Sequence, residues 1–102
     1  MIRGTTPTLT FNLPFNTSRV QNLFITFNNE QDNALVLEKT LAECMLSENS
    51  VSVKLTQEET LKFRGRSSTR VQLRVLTTDG NAMASIIYHV PVKEILKDGV
   101  IE

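Results

Sequence analysis

The 102-residue sequence predicts an all-β fold, one antiparallel sandwich of about seven strands with a single short helical turn. Three observations lead there. Apolar and polar residues alternate in short runs between Thr8 and Val90, and a period of two is that of a strand with one buried face. Turn-forming residues interrupt these runs at intervals of roughly 8–12 residues, the spacing of a sandwich or barrel. Only Thr56-Gln57-Glu58-Glu59 carries a clear helix-start signal.

An arm, Met1 to Pro7, precedes the first strand, in which Leu9, Phe11 and Leu13 share a face until Pro14 removes a ladder donor. In the second strand, Asn22 to Asn28, Leu23, Ile25 and Phe27 face inward. The polar turn Asn28 to Asn33 sends the chain back as a hairpin whose returning strand presents Leu35, Leu37 and Leu41. Cys44-Met45-Leu46 and Val51 to Leu55 form the next two strands around the turn Ser47 to Ser50. At Thr56 a capping box is expected, because the hydroxyl can accept from the Glu59 amide while the Glu59 carboxylate accepts from the Thr56 amide. One helical turn over Gln57 to Leu61 follows, with Leu61 and Phe63 folded onto the core, and Arg64 to Ser68 reads as loop.

The last hairpin runs from Arg70 to Leu76, turns at Asp79-Gly80, and returns from Ala82 to Val90. Asp-Gly supplies the positive φ that tight hairpins need. Val71, Leu73 and Val75 face the core. In the returning strand either Ala84, Ile86, Tyr88 and Val90 or Met83, Ile87 and His89 can face inward; the first set is preferred because it includes Tyr88 and holds no imidazole. Pro91 closes that strand. Residues 92–102 are too apolar for a frayed end and are expected to dock on this domain or on a neighbour.

Residues 1–102 therefore read as one domain. A helical turn between the fifth and sixth strands mirrors the sheet-to-sheet crossover of immunoglobulin-like sandwiches, and a small open β-barrel is the alternative. In the immunoglobulin-like arrangement the third, sixth and seventh strands share a sheet, so Val36, Leu76 and Ile87 fall on one outer surface. With Phe24, and with Ile95, Leu96, Val100 and Ile101 of the tail, they are the candidate interface residues, since clustered exposed apolar side chains favour a protein neighbour over water.

Catalytic and metal chemistry find little to work with. The chain has one histidine, His89, and one cysteine, Cys44, which excludes an internal disulfide and gives any nucleophile a single candidate imidazole. No Gly-x-Ser-x-Gly elbow or glycine-rich phosphate loop is present. Two soft ligands cannot complete a transition-metal site. The turn 28–33 gathers side-chain oxygens but lacks the glycine and ligand spacing of a calcium loop, and Glu58 and Glu59 are accounted for by the start of a helical turn. The expectation is a non-enzymatic protein with no cofactor and no small-molecule substrate.

Eleven basic residues balance eleven acidic ones, which argues against nucleic acid as a partner because such binders carry a basic excess. The one asymmetry is a basic patch, Lys62, Arg64, Arg66, Arg70 and Arg74, whose plain reading is a solvated loop and outer strand face. No apolar run approaches a membrane span, and the first residues lack a signal-peptide core.

The opening Arg3-Gly4-Thr5-Thr6-Pro7-Thr8-Leu9-Thr10-Phe11, the stretch Leu55 to Phe63 and the run Val71 to Gly80 resemble small proteins encoded in phages and prophages of Gram-positive gut bacteria. In outline they are also similar to the N-terminal β-sandwich domain of phage baseplate upper proteins, without the helical linker and distal receptor-engaging module. The resemblance implies a virion, tail or baseplate component made in the bacterial cytoplasm, whose partners are copies of itself or other phage structural proteins. It transfers no functional residue. The alternative is a monomeric binding module for a host protein, a glycan or nucleic acid.

Overall fold

The computed structural model covers residues 1–102 and contains eight strands: β1 (Thr8–Asn12), β2 (Val20–Asn29), β3 (Leu35–Thr40), β4 (Met45–Leu46), β5 (Ser50–Lys54), β6 (Ser67–Thr77), β7 (Ala82–Ala84) and β8 (Tyr88–Val92). One short helix, α1 (Gln57–Thr60), joins β5 to β6. The strands make two antiparallel sheets and no closed barrel. One is three-stranded in the order β1-β5-β4; the other has the order β3-β2-β6-β7, with β8 also paired to β6. The molecule is thus an all-β sandwich, and β3, β6 and β7 share a sheet. The strand order is its own, because β2, which an immunoglobulin order would place with β1 and β5, lies between β3 and β6.

Alternation dictates the core. Leu23, Ile25 and Phe27 of β2 sit opposite Val75, Leu73 and Val71 of β6, and all six are buried. Phe11, Val51, Val53 and Leu55 from the smaller sheet close over them. Phe63 folds back behind α1 and meets Phe27 at a ring-centroid distance of 5.7 Å, tilted by 57°, within the range where aromatic pairs attract.

The local devices follow their chemistry. At α1 the Thr56 hydroxyl accepts from the Glu59 amide at 3.2 Å and the Glu59 carboxylate accepts from the Thr56 amide at 2.8 Å, a complete capping box. Gly80 adopts φ +86° in the β6–β7 turn.

Three expectations are corrected. Leu35 is 61% exposed rather than inward, because the β2–β3 register shifts between Phe27 and Asn28 and places Leu35 opposite outward-facing Asn28. The returning strand of the last hairpin is two strands. Val75 pairs with Met83 on β7, while Val71 pairs with Tyr88 on β8; one extra residue separates these registers, so the inward set changes from Met83 to Tyr88, Val90 and Val92. Ala84 therefore faces outward opposite Arg74, and Ile86, in the break between the strands, is 73% exposed. Pro91 does not end β8, which continues to buried Val92; as an edge-strand residue it needs no ladder donor on its open side.

Arm and tail clasp each other. The Met1 ammonium donates to the Pro91 carbonyl at 2.7 Å, the Lys93 amide to Met1 at 2.8 Å, and the Arg3 amide to Lys93 at 3.1 Å, around a parallel bridge from Ile2 to Lys93. The Arg3 guanidinium then donates to the carbonyls of Phe63 and Leu61, at 2.8 and 3.0 Å, and to Asp98 at 3.2 Å.

Candidate functional site: an apolar cleft between two sheet edges

The smaller sheet stops at β1 and the larger one at β7 and β8; the arm joins these edges at Pro91 and Lys93, and no strand pairs across them along the rest of that side. Between them lies a cleft of about 390 Å³. Phe11 and Phe15 wall one side, Met83, Ile86 and Tyr88 the other, and Leu73 and Val75 form the floor. A hollow of about 310 Å³ continues it between Leu9 and Val90 over Val71. Phe11 and Tyr88 meet edge-on at 5.9 Å where the two join.

The parity change at Ser85 opens this side. The Ser85 amide donates to Leu73 at 2.8 Å, and its hydroxyl accepts from the Leu73 amide at 3.0 Å. The side chain thus substitutes for a ladder bond that the break removes, so β6 is satisfied while β7 stays three residues long. Met83, Ile86 and Tyr88 are left 38%, 73% and 43% exposed. Tyr88 is the only titratable group among the lining residues. The cleft is therefore equipped to bind by apolar burial and by backbone pairing to the strand edges.

Other predicted residues are placed as follows. Phe24 and Leu76 come together as diagonal neighbours across β2 and β6, outside the larger sheet, over a hollow of about 220 Å³ shared with Arg74. Val36 is not with them; it packs against the core. Ile87 lies farther along the face, beside Thr26, Gln72 and Arg70. In the tail, Ile95 is partly buried, whereas Leu96, Val100 and Ile101 are exposed. The segment is held by Asp98 on Arg3 and by a pair of bonds between the Gln57 amide group and the Ile101 backbone.

The basic patch is divided among acidic and amide partners. Arg64 pairs with Asp32 at 2.8 Å, Arg66 with Glu94 at 3.1 Å, and Arg70 with the Asn33 side chain; Lys62 and Arg74 have no ion pair. Through these contacts Gln31, Asp32 and Asn33 of the turn 28–33 serve arginines, and the Ala34 amide, together with Arg64, holds the Asp32 carboxyl below its ordinary value. His89 meets Glu30 at 3.0 Å on the β8 edge. Cys44 follows β3 at the opposite edge, where its thiol donates to the Thr40 carbonyl and burial pushes its pKa up. With β2 and β6 between them, these two do not form a pair. No three His, Cys, Asp or Glu side chains gather at one point, and no helix is long and apolar enough to cross a membrane.

Two important residues escaped the sequence reading. Lys39 stands at an inward position of β3 opposite Ile25, is 6% exposed, and pairs with Glu43 at 3.2 Å and with Glu59. A glutamate four residues on and another in a capping box were its only signals. Arg3 looked like part of a plain arm, and nothing local marks it as the donor to the carbonyls beyond α1.

Compared with known proteins, the chain matches no family model, no curated protein and no solved structure.

Proposed function

We propose that the chain is a non-enzymatic structural protein of the phage or prophage kind, a β-sandwich that works by protein-protein assembly. The observation that carries this reading is the cleft: two strand edges, each paired on one side along the opening, flank an apolar floor and three large side chains left in water. A peptide strand supplies both what the edges lack and what the floor favours, backbone donors and acceptors together with apolar side chains. The resemblance to phage proteins supplies the biological setting.

Light scattering coupled to size-exclusion chromatography, over a wide concentration range and at low and high salt, tests the reading. A discrete oligomer that survives dilution and high salt, and that Ile86→Asp dissociates, is expected. Ile86 is too exposed for that substitution to disturb the core. A monomer throughout rejects self-assembly and favours a module that takes a foreign extended peptide into the same cleft.

A further inference from the structure

We propose that the strand occupying the cleft is the C-terminal segment of a second copy of this chain. The inference rests on the cleft reading above and adds the identity of the occupant.

Three features select that segment. After Lys93 the chain belongs to no strand, and residues 94–102 are held to the rest of the domain mainly by polar contacts at the surface. Yet this stretch carries Leu96 at 108% and Ile101 at 80% exposure, with Val100 at 41%. Apolar side chains this exposed on a weakly held segment are complementary to a cleft without charged lining residues. Length fits as well: nine extended residues reach about 30 Å, enough to run the roughly 20 Å from Leu9 to Phe15.

A neighbour, not the same molecule, must provide it. To enter its own cleft the tail would have to turn back along the outer edge of β8 immediately after Lys93. That edge is taken, because Met1 and Arg3 hydrogen-bond Pro91 and Lys93 there. A second copy carries the same clasp, but a tail arriving from outside need not pass it, because it can enter at the end lined by Phe15, Met83 and Ile86, where no arm residue is paired. Each copy offers one tail and one cleft, so reciprocal exchange closes as a two-fold dimer and leaves no open end.

The test uses full-length variants at exposed positions: Leu96→Asp with Ile101→Asp as the tail variant, and Ile86→Asp as the cleft variant. Circular dichroism and thermal unfolding check that each still folds. Sedimentation velocity should show a dimer for the parent chain and a dissociation constant raised about 100-fold or more for each variant alone. An equimolar mixture of the two variants should recover heterodimers, since one intact tail then meets one intact cleft. If the tail variant dimerises like the parent while the cleft variant does not, the tail is not the occupant and the cleft reading stands. If neither variant weakens the dimer, both fail; a parent that is monomeric at every concentration overturns the tail as occupant and leaves the cleft to a foreign strand.

Discussion

Lys39→Met should expose how far one buried cation ties α1 to the short helical turn Leu41–Glu43 that follows β3. Lys39 is 6% exposed, and its partners differ in their access to water: the Glu59 side chain is 17% exposed and that of Glu43 45%. Removing one member of a fully enclosed ion pair costs about 3–5 kcal/mol. Here Glu59 keeps its hydrogen bond from the Thr56 amide and Glu43 keeps that of Thr40, at 3.0 Å, so a lower cost of about 2–3 kcal/mol is expected. Glu59→Gln retains the capping oxygen and should cost about 1–2 kcal/mol. The double variant should cost at least about 1 kcal/mol less than the sum, because the second change removes the charge that the first strands. Urea unfolding at pH 7, followed by circular dichroism because the chain has no tryptophan, measures all three. Costs that add to within about 0.5 kcal/mol would refute the coupling.

The same three groups give the stability a pH signature. Burial alone would pull the Lys39 pKa down, but hydrogen bonds with Glu59 and Glu43 outweigh it and raise the value above 10.5. The Thr40 amide, helped by Lys39, lowers the Glu43 carboxyl from 4.5; for Glu59, burial pushes upward and Lys39 with the Thr56 amide prevails, also lowering it from 4.5. The carboxylate contributions are present above pH 4.5 and are lost as pH falls through the depressed folded-state values. The lysine contribution is present below pH 10.5 and lost as pH rises through its raised value. Lys39→Met should therefore flatten both limbs of the stability profile.

Two further outcomes are expected. Gly80→Ala should lower stability by about 1 kcal/mol through backbone strain alone, since φ is +86° and a Cβ there meets nothing within 4 Å; an unchanged melting temperature would show that the turn relaxes freely. Arg3→Met should release the clasp, so that amides from Lys93 to Ile101 exchange hydrogen faster while those of β2 and β6 keep their protection. Uniform acceleration across the domain would mean that Arg3 supports the whole sandwich.

Much of this architecture was legible because alternation names the residues that share a face. Leu23-Ile25-Phe27 and Val71-Leu73-Val75 needed nothing more, and Thr56 and Glu59 marked α1 through a contact three residues long. Alternation cannot say whether a second layer covers a face. Met83, Ile86 and Tyr88 have the composition of core residues, but the smaller sheet ends at β1 and leaves them open. Parity is equally fragile: one extra residue near Ser85 moved Ala84 outward, and a register shift did the same to Leu35. Lys39 was hidden for a related reason, since a lysine in a strand reads as an outward residue until Glu43, four residues on, and Glu59, from α1, are seen meeting it. The apolar outer face divided because Val36 had a place in the core and Ile87 lay too far along the sheet.

The pairing of the first residues with the last has a kinetic consequence. The hairpins β2–β3, β4–β5 and β6–β7 join near neighbours in sequence, whereas β1 waits for β5, β2 waits for β6, and the bonds from Met1 and Arg3 to Pro91 and Lys93 span nearly the whole chain. Such separated contacts carry a large loop-closure entropy, which places folding in the millisecond-to-second range typical of β-sandwiches. The terminal clasp, with the greatest separation of all, closes only when the rest of the sandwich has brought its two halves to the same end of the molecule.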